Sequence, residues 1–306
     1  MRVGGQAEWL LEPRTPDELH LALVGAHERG LPVRMLGAGA DLIIEDGLHP
    51  GVVVSTGLIQ RVFRPEPEAR GDAALGEAAA ESAGRVAPTA REDDPRLVAW
   101  CGASLPGLVR TAAELGWSGL EGLVGMPGKV GGAVATNAGG RWGEIWDRIE
   151  TVRVLTPAGE VRDLERSECS PVYRDGRLGD LIVVGVLLRL EVSDPARVKT
   201  TTRQYLQQKN AVQPVTEACA GCIFKNPDRE LSEGRSAGQL IDHAGLKGRE
   251  RGAAVVSEKH GNFIVNRGGA LASDVLGLVE EVREEVHARS GVRLECEVRI
   301  WRREGE

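Results

Sequence analysis

Seven glycines fall within the nineteen residues from Gly122 to Gly140, and such density is incompatible with a helix or strand built on propensity. Glycine is placed this way where φ must be positive or where backbone N–H groups must approach an oxyanion such as a pyrophosphate. A glycine-rich surface loop is the simpler reading. Val130, Ala133 and Val134 are interleaved with the glycines, however, and argue for an ordered, buried loop.

The chain has 306 residues, enough for two domains or one large α/β unit that can enclose a cofactor. A formal net charge of −7 argues against nucleic acid or an anionic membrane as the main partner. No apolar run reaches membrane-span length and Met1-Arg2-Val3-Gly4-Gly5 is not a signal peptide, so a cytoplasmic location is expected. Cys101, Cys169, Cys219, Cys222 and Cys296 are odd in number and scattered, unlike a secreted disulfide framework.

The N-terminal half alternates α and β. Thr15, Pro16 and Glu18 form a capping box with proline at the first helical position, Leu19, Ala22, Leu23 and Ala26 make the apolar stripe, and Gly30 stops the helix. Strands follow at 33–36 and 52–54, the first running straight into a short loop, Gly37-Ala38-Gly39-Ala40-Asp41. Residues 64–96 lack aromatic residues and nearly all β-branched ones, and read as a flexible insertion. A helix over 104–115 closes at Gly116, and antiparallel strands are expected at 151–155, 160–164 and 181–190. A polar helix near 198–210 leads to a C-terminal domain with a helix at 236–244 and strands at 253–256 and 263–265. A long helix there is expected to be N-capped by Ser273, with Leu276, Val279, Val282 and Val286 inward, before an alternating strand, 292–300. The division expected is a domain over 1–196, in two subdomains, and a second over 197–306.

Neither glycine loop matches a standard fingerprint. The first lacks the third glycine of the dinucleotide motif, and the second is not followed by the P-loop Lys-Ser/Thr pair. Two loops that share one pyrophosphate would favour a dinucleotide architecture other than the Rossmann fold.

Further motifs occur along the chain: Tyr173-Arg174, Gln213-Pro214, Ala220-Gly221-Cys222-Ile223-Phe224-Lys225-Asn226-Pro227, Ser236-Ala237-Gly238-Gln239, Ser257-Glu258-Lys259-His260-Gly261-Asn262-Phe263 and Leu294-Glu295-Cys296-Glu297-Val298. In this order and with the two glycine loops, they resemble the UDP-N-acetylenolpyruvoylglucosamine reductase (MurB) family, in its shorter sub-class. The resemblance implies an α/β (α+β) fold, with a bipartite FAD-binding domain of the vanillyl-alcohol-oxidase kind and a smaller C-terminal α+β substrate domain. It implies bound FAD, NADPH as co-substrate, a UDP-sugar substrate and peptidoglycan precursor synthesis. No metal is expected, and a monomer is.

By the same resemblance Cys222 is the acid that protonates the substrate carbon bearing the carboxylate, Arg174 and Glu297 stabilise charge on that carboxylate, and Lys225 and Asn226 hold substrate. Cofactor contacts are expected at Gly37, Gly39, Ala40, Asp41, Gly125, Pro127, Gly128, Gly131, Gly132 and Asn137. The residue types suit the work: a thiol is a stronger acid than an alcohol, and a guanidinium fork matches a carboxylate. Read without the family, Cys219 and Cys222 form a CxxC that could be a redox pair or half a zinc site, Glu297 shares a solvated strand face with Arg293, Glu295 and Arg299, and Arg174 sits in a surface turn. A flavin oxidase of the same fold and an inactive cofactor-binding homologue are the alternative functions.

The chain also departs from the family pattern. Ala40 and Asp41 replace a serine and an asparagine in the first loop, placing a carboxylate where a pyrophosphate is expected. Cys222 replaces a serine, Gly176 stands where a serine often does, Cys296 replaces a proline, and Lys129 replaces a small residue.

Overall fold

The structure, a computed structural model, describes residues 1–65 and 94–303. Two compact units emerge: a larger one of Trp9–Ala38 and Gly51–Gln207, and a smaller one of Met1–Glu8, Gly39–Pro50 and Gln208–Glu306. The division falls within a helix, Pro195–Val212, rather than at 196/197, and two N-terminal stretches join the smaller unit. Sequence order cannot reveal that exchange, because it depends on pairings between distant segments.

The larger unit is built on a five-stranded antiparallel sheet in the order Val161–Glu165, Ile149–Leu155, Ile182–Arg189, Arg96–Trp100, Val62–Phe63. Alternation puts Leu97, Ala99, Val152, Val154, Val186 and Leu188 into one core. Two helices add their apolar stripes to that core: Leu19, Leu23 and Ala26 from Pro16–Glu28, and Leu105, Leu108 and Ala112 from Leu105–Leu115. Burying each leucine contributes about 1.5–3 kcal/mol. Their ends are those expected. Thr15 accepts from Glu18 N (3.1 Å), Ser104 accepts from Gly107 N (3.3 Å), and Gly116 stops the second helix at φ 72°. A Cβ at Gly116 would fall 2.7 Å from Pro195 Cγ.

Of the insertion expected at 64–96, residues 66–93 lie outside the described residues. Its C-terminal edge needs correction: Arg96 opens a sheet strand and is only 4% exposed. Asp94 makes that burial possible by accepting from both Arg96 Nε and Nη2 at 2.6–3.0 Å, and the guanidinium holds the Asp94 carboxyl below its ordinary range.

The smaller unit has a three-stranded antiparallel sheet, Glu250–Arg251, Ala254–Val256 and Ile264–Asn266, packed with helices Ala237–His243 and Ala272–Ser290. Ser236 and Gln239 cap the first helix reciprocally, as the sequence suggests. In the second, Val275, Leu278, Val279, Val282 and Val286 are buried, and Leu276 only partly so. The expected long strand over 292–300 is reduced to Arg299–Trp301, which pairs in parallel with Leu42–Ile44. Most of that stretch is spent on irregular contacts.

Ser273 does not cap the long helix. It lies inside the first turn, and the carboxylate of Asp46, far away in sequence, accepts from Ala272 N and Ser273 N at 3.1 Å each. An anionic acceptor at a helix N-terminus satisfies orphan amides and complements the macrodipole. Asp46→Ala is therefore expected to lower stability by about 1–2 kcal/mol and Ser273→Ala by less than about 0.5 kcal/mol. Urea unfolding midpoints of the two variants decide this, and the reverse ranking would remove Asp46 as the cap.

Candidate active site

The long glycine loop is zipped to the segment before helix Leu105–Leu115. Gly131 N donates to Cys101 O (2.8 Å), Val130 N to Ala103 O (3.0 Å) and Leu105 N to Gly128 O (3.1 Å). A Cβ at Gly131 would stand 2.9 Å from Cys101 Cβ, so this approach requires glycine. Full burial pushes the Cys101 thiol up to about 12, making it packing rather than chemistry. Gly125 and Gly128 have φ of 74° and 124°, and a Cβ at Gly132 would meet nothing within 4 Å. The amides of Gly125, Gly128 and Gly132 are not among the loop's own hydrogen bonds. A glycine that opens outward, as Gly132 does, suits a phosphate-bearing cofactor.

The first loop approaches the second within the larger unit, where a Cβ on Gly37 would touch Lys129 Cβ at 3.6 Å. Lys129 is half-buried there. Gly39, Ala40 and Asp41 belong to the smaller unit, in which the Asp41 carbonyl accepts from Arg299 N (2.9 Å). Pro127 is exposed.

The end of the long loop is knotted to the Tyr173-Arg174 segment. Val172 and Asp175 exchange backbone hydrogen bonds of 2.9 and 3.0 Å, leaving Tyr173 and Arg174 at the tip of a four-residue turn. Arg174 has φ 59°, a left-handed conformation that costs a non-glycine residue about 1–2 kcal/mol. Three contacts hold it: Arg174 Nη1 donates to Gly139 O (3.0 Å), Asn137 Nδ2 donates to Val172 O (2.9 Å), and Gly176 N donates to Ala135 O (3.0 Å). The guanidinium carbon also sits 4.8 Å from the Tyr173 ring centroid. This is not an ordinary surface turn. A Cβ at Gly176 would fall 2.4 Å from Val134 O and 3.0 Å from Trp146 Nε1, which itself donates to Val134 O (2.8 Å). In this chain the backbone at 176 is therefore too close to Val134 for a side chain without a shift.

Asn137 is 1% exposed at φ 44°, with Nδ2 also donating to Glu144 Oε2 (2.7 Å) while its Oδ1 is buried without a hydrogen-bond donor. A lone buried acceptor costs about 1–3 kcal/mol, so it is the kind of group a bound ligand satisfies. The open Gly132 and this acceptor fit a dinucleotide cofactor.

In the smaller unit the structure brings Cys222 and Glu297 onto neighbouring segments. Phe224 bridges Cys296, Glu297 N donates to Ile223 O (2.8 Å), and Lys225 N donates to Glu295 O (2.8 Å). Asn262, 3% exposed, clamps the Phe224 backbone by accepting from its N–H (2.9 Å) and donating to its carbonyl (2.7 Å). Glu297 is half-buried whereas Arg293, Glu295 and Arg299 are exposed, so it does not share their solvated environment. Cys222 is half-buried as well. Cys219 makes an isolated bridge to Val265, Ile223 N donates to Asn262 O (2.9 Å), the chain bends between the two cysteines at Gly221 (φ 73°), and all five cysteines are free. Among the described residues no group of three His, Cys, Asp or Glu could hold a metal.

Two candidate substrate residues already have partners. Lys225 Nζ pairs with Glu295 Oε1 (2.6 Å), and Asn226 Oδ1 accepts from Ala237 N (3.1 Å) at the start of the next helix. Glu144 and Asn262 do not stand out in the sequence. Asn262 lies in a quoted motif, but nothing in its spacing marks it as a clamp.

Two domain models match the chain: an FAD binding domain over residues 87–165, and the UDP-N-acetylenolpyruvoylglucosamine reductase C-terminal domain over 213–301. UDP-N-acetylenolpyruvoylglucosamine reductases of Deinococcus radiodurans and Parasynechococcus marenigrum are 39% and 38% identical, covering 98% and 97% of this chain and 91% of each relative. The crystal structure of the reductase (MurB) from Thermus caldophilus superimposes with a TM-score of 0.76 at 36% identity, covering 98% of this chain and 94% of that one.

Gly176→Ser is expected to destabilise the protein by about 1–3 kcal/mol, read from its urea midpoint, because the added atoms collide with backbone. His260 gives a pH dependence. Burial and, next, the Lys247 ammonium hold its imidazole below the ordinary value, and its Nδ1 accepts from Asn262 N (3.2 Å). Folding favours the neutral ring, so its contribution is full above pH ~6.5 and is lost as pH falls through the lower folded value. Urea midpoints at pH 7.5 and 5 should differ less in His260→Gln than in the parent; equal differences would exclude His260 as the source.

Proposed function

The chain belongs to the UDP-N-acetylenolpyruvoylglucosamine reductase family, and from that premise we propose that Arg174, Cys222 and Glu297 are its catalytic residues. The protein is an FAD oxidoreductase that reduces the enolpyruvyl group of UDP-N-acetylenolpyruvoylglucosamine to UDP-N-acetylmuramate with NADPH, in peptidoglycan precursor synthesis. FAD, when bound, would supply the hydride chemistry that links NADPH to the methylene carbon of the substrate.

Everything else falls to side chains. Cys222 gives its proton to the carbon bearing the carboxylate and is reprotonated from solvent, so that one hydride and one proton together saturate the double bond. Arg174 meets the carboxylate with a two-pronged guanidinium and, together with Glu297, stabilises the charge that builds on it during hydride arrival. The strained turn tip on which Arg174 is held by the glycine loop carries this reading, because a left-handed arginine is retained where its position matters.

Cofactor contacts are assigned to Gly37, Gly39, Ala40, Asp41, Gly125, Pro127, Gly128, Gly131, Gly132 and Asn137. Lys225 and the amide NH2 of Asn226 hold substrate. Cofactor binding then lies chiefly in the larger unit and substrate binding in the smaller. The reading includes a monomer working in the cytoplasm; no helix among the described residues is long and apolar enough to cross a membrane.

Purified protein should be yellow and should oxidise NADPH when given the UDP-enolpyruvyl sugar. Cys222→Ala should leave flavin reduction by NADPH within about twofold in stopped-flow absorbance, while substrate-dependent reoxidation slows by about 10²–10⁴-fold. Unchanged turnover in that variant would sink Cys222 as the acid, and rapid reoxidation by dioxygen regardless of acceptor would favour an oxidase.

A further inference from the structure

The side-chain amide of Asn137 is confronted by two acceptors, the Glu144 carboxylate and the Val172 carbonyl, at 2.7 and 2.9 Å. Neither can donate, so only the NH2 end can face them and the amide has one permitted orientation. Oδ1 is thereby turned the other way, buried and lacking a donor.

Glu144 is built to impose this. Gly139 pairs with Glu144 in a short hairpin, and a Cβ on Gly139 would fall 2.5 Å from Glu144 Cα and 2.6 Å from its Cγ. The stem of Glu144 thus lies directly over a glycine, and its N–H is anchored to Asp147 Oδ2 (2.8 Å). Val172 in turn opens the turn bearing Arg174, whose guanidinium bonds Gly139 O two residues beyond Asn137. Resting on the reading of Arg174 as the residue that meets the substrate carboxylate, this end of the loop adjoins the reacting ring of the cofactor. The isoalloxazine ring is also the part of FAD there that offers N–H donors.

We propose that Asn137 Oδ1 accepts a hydrogen bond from an isoalloxazine N–H, and that Glu144 is the positioning residue that turns the amide toward it. Glu144 acts entirely through Asn137.

FAD titration of the apoprotein, followed by flavin fluorescence, tests this with Asn137→Gly, Glu144→Ala, Glu144→Gln and the Asn137→Gly/Glu144→Ala double variant. Glycine keeps the left-handed backbone at 137 accessible, and near-UV circular dichroism checks that each variant folds. Asn137→Gly and Glu144→Ala should each weaken FAD binding about tenfold, the worth of one hydrogen bond. Glu144→Gln, whose carbonyl still accepts, should stay within about twofold, and the double variant should bind no more weakly than Asn137→Gly. The visible spectrum of bound flavin should shift in the two weakened variants and return in Glu144→Gln. Parent-like affinity in Asn137→Gly would overturn the contact, an affinity loss without a spectral shift would overturn its placement on the ring, and additive losses would overturn the role of Glu144. Both readouts are taken without NADPH or UDP-sugar, so they fail independently of the Cys222 test.

Discussion

Backbone meets backbone in the larger unit more closely than side chains permit, and the candidate site depends on that approach. Gly131 lies against Cys101, Gly139 against Glu144, and Gly176 against Val134 O, each at a separation where a Cβ would collide. Glycine at such positions loses roughly 0.5–1 kcal/mol relative to alanine through chain entropy, and the hydrogen bonds that the close approach allows offset this. The result is a rigid frame on which a strained arginine can be held. Gly176 N closes the Tyr173-Arg174 turn on Ala135 O, and the Asn137 and Gly139 contacts hold the left-handed Arg174 in place.

The smaller unit solves a different problem, that of polar atoms inside a core. Asn262 satisfies both backbone groups of Phe224, Asn226 takes an amide at the start of helix Ala237–His243, and Asp46 takes two at the start of the long helix. Each removes an orphaned group from an interior where leaving it unpaired costs more than the bond itself is worth. These are local conditions for Cys222 and Glu297 to lie on neighbouring segments. Motif residues therefore also serve as support, as Asn226 does through the Oδ1 that accepts from Ala237 N.

Periodicity and punctuation made most elements readable from the chain. Thr15 with Pro16, Ser104 with Gly116, and Ser236 with Gln239 mark helix ends through bonds spanning three or four residues, and such signals survive any tertiary arrangement. Strand alternation likewise located the antiparallel sheet. The failures involve distant partners: Arg96 reads as loop until Asp94 neutralises it in a strand, Ser273 reads as a cap until Asp46 arrives from elsewhere, and the alternating run 292–300 reads as one strand although only its last residues find a strand to pair with. Among site residues, the glycines and Arg174 were visible as types in a pattern. Glu144 was not, because an acidic residue seven positions after an asparagine carries no signal until a hairpin folds it back.

The sequence by itself determined the family, the α+β class, most helix boundaries and the residue types of the site, since these follow from side-chain chemistry, φ preferences and short-range hydrogen bonding. Tertiary structure alone decided which stretches join which unit, how closely Gly176 approaches Val134, that Cys219 bridges Val265, and which way the Asn137 amide faces. The physical reason is the same throughout: these outcomes depend on contacts under 3.5 Å between residues far apart in the chain, and a sequence encodes such contacts only through the packing of the whole.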